Sequence, residues 1–153
     1  MEEESSGRMK NKKKLDYKTI FSYILLFVVL DQITKILART YTVDFKIAKF
    51  LSLTYITNTG MAFGLFQGNN NIFLFLYLII LGTVLFNYDK IIPKYKIPFI
   101  LVTAGIAGNL IDRIFLGHVV DFINFSFWPA FNIADSIICI GIIILAVQLI
   151  KEK

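Results

Sequence analysis

Four long runs of nearly unbroken Ile, Leu, Phe and Val decide what this chain can fold into. They cover about Thr19–Ala38, Ile72–Tyr88, Ile97–Ile114 and Ala130–Ile150. A helix needs roughly 20 mostly apolar residues to cross about 30 Å of hydrocarbon, and each run meets or approaches that length. Lipid-facing strands would alternate apolar and polar residues instead, and these runs do not. A soluble domain has nowhere to hide them: the 153 residues are 56% hydrophobic and 18% charged, against about 45–50% apolar and about 25% charged in an average soluble domain. The same apolar content excludes a disordered chain. One cysteine, Cys139, excludes a disulfide scaffold, and one histidine, His118, leaves zinc sites short of ligands. The expected fold class is all-α membrane, a four-transmembrane-helix bundle formed as one domain by residues 17–153.

Basic residues orient the bundle. Eleven of the sixteen Lys and Arg fall in the N-terminal tail and first turn of span one, the 89–96 loop and the C-terminus. Five fall on the other side: Lys35, Arg39, Lys46, Lys49 and Arg113. Positive charge stays inside, so both termini are expected in the cytoplasm, with segments 39–71 and 115–129 facing outward. The net charge of +5 is then accounted for by anionic lipids at the inner leaflet, with no nucleic acid partner. Residues 1–16 read as a polar, disordered cytoplasmic tail. The first run is too long for a cleaved signal peptide, and its outer end carries Asp31, Gln32 and Lys35 in place of a small-x-small site. The outer stretch Thr40–Thr57 is rich in β-branched and aromatic residues. It predicts a small extracytoplasmic β-rich segment, followed by a short amphipathic helix resting on the membrane. Tyr41, Tyr55 and Trp128 read as interface anchors, and Trp128-Pro129, just before span four, as fixing how that helix enters.

The acids carry more information. Of eleven, Asp31, Asp112 and Asp135 lie inside predicted spans and Asp121 lies in the short loop between spans three and four. A carboxylate at the centre of a lipid-facing helix costs about 2.5–3.5 kcal/mol. These four avoid the centre: at 1.5 Å per residue, Asp135 is roughly 7–8 Å into its span and Asp31 roughly 10 Å, so all gather at the outer ends. Asp31 and Lys35 share a helical face at i, i+4; Asn109, Asp112 and Arg113 share another; Asn132 and Asp135 open span four. The plainest reading of Asp31–Lys35 and Asp112–Arg113 is structural pairing between helices. Asp121 and Asp135 have no basic residue within one helical turn in sequence, His118 being the nearest candidate to Asp121. Two unpaired carboxylates brought together share a proton, the state in which an aspartic protease activates water. Ion or proton paths use intramembrane acids too.

Five motifs in order narrow this further: Asp31-Gln32-Ile33-Thr34-Lys35; Asn58-Thr59-Gly60-Met61-Ala62-Phe63-Gly64; Gly105 to Arg113; Gly117-His118-Val119-Val120-Asp121-Phe122-Ile123; and Phe131-Asn132-Ile133-Ala134-Asp135-Ser136. Across about Asp31–Ile142 the chain resembles the lipoprotein signal peptidase (signal peptidase II) family of bacterial membrane aspartyl proteases. The resemblance implies that Asp121 and Asp135 are the catalytic dyad. Asn58, Gly60, Asn109, Arg113 and Asn132 would line or support the substrate site, and Asp31, Lys35 and Asp112 would be structural polar positions. It implies a substrate prolipoprotein, cut just before a Cys that carries diacylglycerol, with no metal or organic cofactor. The implied setting is the bacterial cytoplasmic membrane, with the site on its outer side and the enzyme a monomer among lipids. The outer segment with Gly60 and Gly64 is expected to cover the bound peptide.

Rival readings fit less well. A zinc protease needs two histidines. Ser136 points about 100° away from its neighbour Asp135 on a helix, and Cys139 lies a turn deeper than the loop holding His118. A transport subunit would string its acids across the membrane, whereas these cluster at one face. A non-enzymatic assembly factor held by polar pairs remains as the alternative that an activity assay separates.

Overall fold

The computed structural model describes residues 16–60, 65–87, 90–91 and 93–152. In chain order they form α1 (Tyr17–Thr40), β1 (Asp44–Ala48), β2 (Leu51–Asn58), α2 (Asn70–Phe86), a 3₁₀ turn at Pro93–Tyr95, α3 (Lys96–Phe115), β3 (Val119–Phe125), β4 (Trp128–Phe131) and α4 (Ile133–Ile150). Among the described residues, three helices are long and apolar enough to cross a membrane; α2 is apolar but has only 17 residues. The expected tail, Asp16 apart, lies outside the described residues. Asp16 is the N-cap of α1, its carboxylate accepting from the Thr19 N–H at 2.8 Å.

The all-α expectation needs correcting. The expected small β-rich segment is present and extends further than read: residues 44–58 and 119–131 make one four-stranded antiparallel sheet, in order β1-β2-β3-β4. The 115–129 connection, read as a short loop, supplies half of it. Asp121 sits in β3 opposite Ile56 of β2, and Val119 sits opposite Asn58. Trp128–Phe131, read as the entry to span four, is an edge strand in which Phe131 pairs with Ile123. Pro129 is tolerated there because an edge strand has a side with no ladder bonds to make. The helix starts only at Ile133, so Asp135 lies in its first turn. The expected amphipathic helix would involve residues 61–64, outside the described residues; Gly64, half of the expected cover, lies there too. The flanking residues 59–60 and 65–68 are bends and turns.

The helix α3 is the centre of the bundle and packs on α1, α2 and α4. Of its apolar window 61% is buried within the protein, against 17% for α1 and for α4, whose remaining surface is left for lipid. Small residues make this packing close. A Cβ added at Gly105 would lie 2.5 Å from the Ala134 carbonyl oxygen, and one at Gly108 would lie 2.6 Å from Asp31 Oδ2. Ala38, Val120 and Phe122 form a buried cluster with Leu53, Tyr55 and Ile133 that joins the sheet to the end of α1 and the start of α4. Gly105→Ala is therefore expected to cost about 1–3 kcal/mol, the usual penalty for overpacking a closed contact. Gly82→Ala, with nothing within 4 Å of the new methyl, serves as the control. Thermal melts in detergent read both, and equal midpoints for the two variants would contradict the close approach.

Candidate active site

The C-terminal ends of α1 and α3 and the start of α4 meet around a buried cation. Lys35 Nζ lies 2.8 Å from Asp31 Oδ2 and 3.0 Å from Asp112 Oδ2, and donates to Asn109 Oδ1 at 2.9 Å. All four side chains are buried. Asp31 Oδ1 accepts from the Ala134 N–H at 2.8 Å, which ties α1 to the start of α4. Asp112 Oδ2 accepts from the Val120 N–H at 3.0 Å, which ties α3 to β3. The i, i+4 pairing of Asp31 with Lys35 is present as read from the sequence. The expected Asp112–Arg113 pair is not: consecutive helical residues diverge, and Asp112 turns to Lys35 while Arg113 turns away.

Asn132 is the next junction. It caps α4 through a reciprocal capping box: its Oδ1 accepts from the Asp135 N–H at 2.9 Å, and its own N–H donates to Asp135 Oδ2 at 3.2 Å. Its amide also donates to Asp121 Oδ1 at 2.8 Å and to Asn109 Oδ1 at 3.2 Å. Asn109 in turn donates to Asp135 Oδ1 at 2.8 Å. The second oxygen of Asp121 accepts from Asn58 Nδ2 at 2.9 Å. Asp121 and Asp135, from a strand and a helix start, are thus bridged by one asparagine and braced by two more. His118 is no partner in this network; its Nε2 is buried without a hydrogen bond.

Burial pushes the Asp121 carboxyl up to about 7, with the charge of Asp135 the next cause; the Asn58 and Asn132 hydrogen bonds pull the other way. A protonated Asp121 is therefore available near neutral pH. Asp135 accepts a backbone N–H in the first turn of α4, where the helix dipole favours an anion.

Asp135 opens onto a cavity of about 670 Å³ that runs between α2, α3 and α4, with apolar walls such as Leu76, Ile80 and Ile142. Asn58, Gly60, Asn109 and Arg113 line its polar end. Asp121 is buried just behind Asn58. Arg113 is buried as well: it donates to the Gly60 carbonyl at 2.8 Å and to Asn70 Oδ1 at 2.9 Å, and its guanidinium lies over the rings of Phe73 and Tyr77. Asn70, Phe73 and Tyr77 escaped the sequence reading. Asn70 falls in the 39–71 segment and the two aromatics in an apolar span; the i, i+4 spacing of Phe73 and Tyr77 on one face is the available signal. Ser136 spends its hydroxyl on the Asn132 carbonyl at 2.9 Å, so it has no base to activate it. Cys139 lines the apolar part of the cavity.

The comparisons with known proteins agree with one another. The family model described as signal peptidase (SPase) II matches residues 23–151. The chain belongs to the signal peptidase II family. Lipoprotein signal peptidase of Thermodesulfovibrio yellowstonii is 40% identical over 144 residues, covering 89% of this chain and 97% of its own. That of Caldanaerobacter subterraneus subsp. tengcongensis is 43% identical over 136 residues, covering 83% and 93%. A bacterial membrane enzyme solved by the in meso method at 2.3 Å resolution superposes with a TM-score of 0.83 at 32% identity, over 91% of this chain and 92% of that one. A signal peptidase II is an aspartic-type protease, and the apolar helices fit a bacterial membrane protein.

Proposed function

We propose that this signal peptidase II removes signal peptides from diacylglyceryl-modified prolipoproteins, cutting just before the lipid-bearing Cys, with Asp121 and Asp135 as its catalytic dyad. The observation that carries this reading is the bridging of the two carboxylates by the buried Asn132, with Asp135 opening onto a cavity whose walls are mostly apolar and Asp121 behind its lining residue Asn58. Asp135, held at a helix N-terminus, is the base that takes a proton from water as the water attacks the scissile carbonyl. Asp121 holds the complementary proton, gives it to the carbonyl oxygen, and so prepares the tetrahedral intermediate. The proton on Asp135 then passes to the leaving nitrogen. Asn58, Gly60, Asn109, Arg113 and Asn132 hold the dyad and the peptide, while Asp31, Lys35 and Asp112 fix the helices. The apolar walls suit acyl chains and a signal helix. In this reading α2 is a fourth crossing, both termini are cytoplasmic, the site faces the outer surface, and one chain suffices for activity.

Purified protein in lipid, mixed with a prolipoprotein whose Cys carries diacylglycerol, is expected to release a product whose first residue is that Cys. Mass spectrometry of the product reads the cleavage position. Cleavage of the unmodified precursor at the same rate would remove the lipid from the recognition.

The pH profile follows from Asp121. It is protonated below and ionised above its pKa of about 7, so kcat/KM is expected to fall as pH rises through the neutral range. A rate that stays level from weakly acid to weakly alkaline pH would take the proton-donor role from Asp121.

A further inference from the structure

A second cavity, of about 210 Å³, lies between the last turns of α1 and α3 and shares no lining residue with the one onto which Asp135 opens. Gln32, Lys35 and Asp112 make its polar floor. These groups already have partners. Gln32 Nε2 donates to Asp112 Oδ1 at 3.0 Å and to the Gly108 carbonyl at 3.1 Å, and the Lys35 ammonium is spent on Asp31, Asp112 and Asn109. Arg39 lines the same cavity one turn further along α1. It is exposed, and among the described residues its side chain has neither an ion pair nor a hydrogen bond. The rim is apolar: Ile36 of α1 and Phe115 of α3 line it and are exposed.

We propose that this groove binds one glycerophospholipid of the surrounding leaflet, its phosphate held by Arg39 and an acyl chain lying against Ile36 and Phe115. The inference depends neither on the dyad nor on which side of the membrane the groove faces. A cation beside acyl chains is costly without a counter-charge, and a guanidinium matches phosphate oxygens with paired N–H donors. A free inorganic anion would satisfy Arg39 and leave the apolar rim uncovered. A neutral lipid would cover the rim and leave the guanidinium unpaired. A phospholipid does both, which is how basic pockets between membrane helices take phospholipid head groups. Bound there, it braces α1 against α3 one turn from Lys35, so filling the groove stabilises the folded protein.

Native mass spectrometry of the protein in detergent, titrated with dioleoylphosphatidylglycerol, reads the binding. A saturable first equivalent is expected, with a melting midpoint that rises as it fills. Dioleoylglycerol has the same chains and no phosphate; glycerol phosphate has the phosphate and no chains. Each is expected to bind weaker by on the order of tenfold or more, having lost either the charge-assisted contact or the apolar one. Arg39→Gln is expected to lose on the order of tenfold or more in affinity for the phospholipid, and most of the midpoint rise with it. Lys49→Gln, which removes an exposed charge from the turn between β1 and β2, should bind as the native protein does. Equal binding of dioleoylglycerol, or an Arg39→Gln protein that binds phospholipid as tightly as native, overturns the proposal; Arg39 then serves only the C-terminal end of α1. So does glycerol phosphate that matches the phospholipid, which marks a free-anion site, or an equal loss in Lys49→Gln, which marks general attraction between charges.

Discussion

Asp135→Asn is expected to keep its fold and lose cleavage by about 10²–10⁴-fold, the range over which a positioned base contributes. The asparagine can still accept the Asn132 N–H at the start of α4, so the cap survives, while the group that takes the proton from water is gone. Asp121→Asn should be as inactive. Each carboxylate accepts from two N–H groups, Asp121 from Asn58 Nδ2 and Asn132 Nδ2 and Asp135 from Asn109 Nδ2 and the Asn132 backbone, so an Asn at either position sets an N–H₂ against one donor unless that neighbouring amide turns. An unsatisfied buried donor costs about 1–3 kcal/mol. Turnover of the diacylglyceryl prolipoprotein together with a detergent melt reads both effects. Substantial turnover in either variant, with the fold intact, ends the two-carboxylate mechanism.

Much of this site was legible because the membrane leaves few places for charge. Three acids near the ends of apolar spans and a fourth in a connection between two of them could be located by counting residues, and helical periodicity paired Asp31 with Lys35. Periodicity has no hold on partners from different elements. It set Asp112 and Arg113 on one broad face and suggested they pair, whereas the tertiary fold sends one to Lys35 and the other to Gly60 and Asn70. Asp121 was read as a loop residue because Val119–Phe125 is short and follows a helix; its pairing with β2, some 65 residues earlier in sequence, is a long-range contact that local composition does not encode. Ala130 and Phe131 read as part of span four for a similar reason, since an apolar edge strand and the first turn of an apolar helix look alike until Asn132 is recognised as the cap. Tyr77 stayed hidden because a tyrosine in an apolar run reads as lipid-facing until a neighbouring cation is known.

Lys35→Met is expected to be the most destabilising single change outside the dyad, at about 3–5 kcal/mol, because it leaves buried carboxylates without their cation. Lys35 is 2% exposed, Asp31 0% and Asp112 2%, so water cannot replace the lost charge without opening the bundle. The damage should also travel. Asp31 holds the Ala134 N–H of α4, Asp112 holds the Val120 N–H of β3, and Lys35 itself orients Asn109, which donates to Asp135. Each element that carries a carboxylate of the proposed dyad therefore hangs on one ammonium group. Lys35→Arg is not expected to rescue it, since a planar guanidinium cannot reach three acceptors placed around a single nitrogen. Removing the stranded charges should help: in Asp31→Asn/Lys35→Met/Asp112→Asn the melting midpoint is expected to recover part of the loss, while cleavage stays low because Asn109 is still unsupported. A Lys35→Met protein that melts within about 1 kcal/mol of native, the range of an exposed ion pair, would mean that the buried triad is solvated in the folded state and does not hold α1, α3 and α4 together.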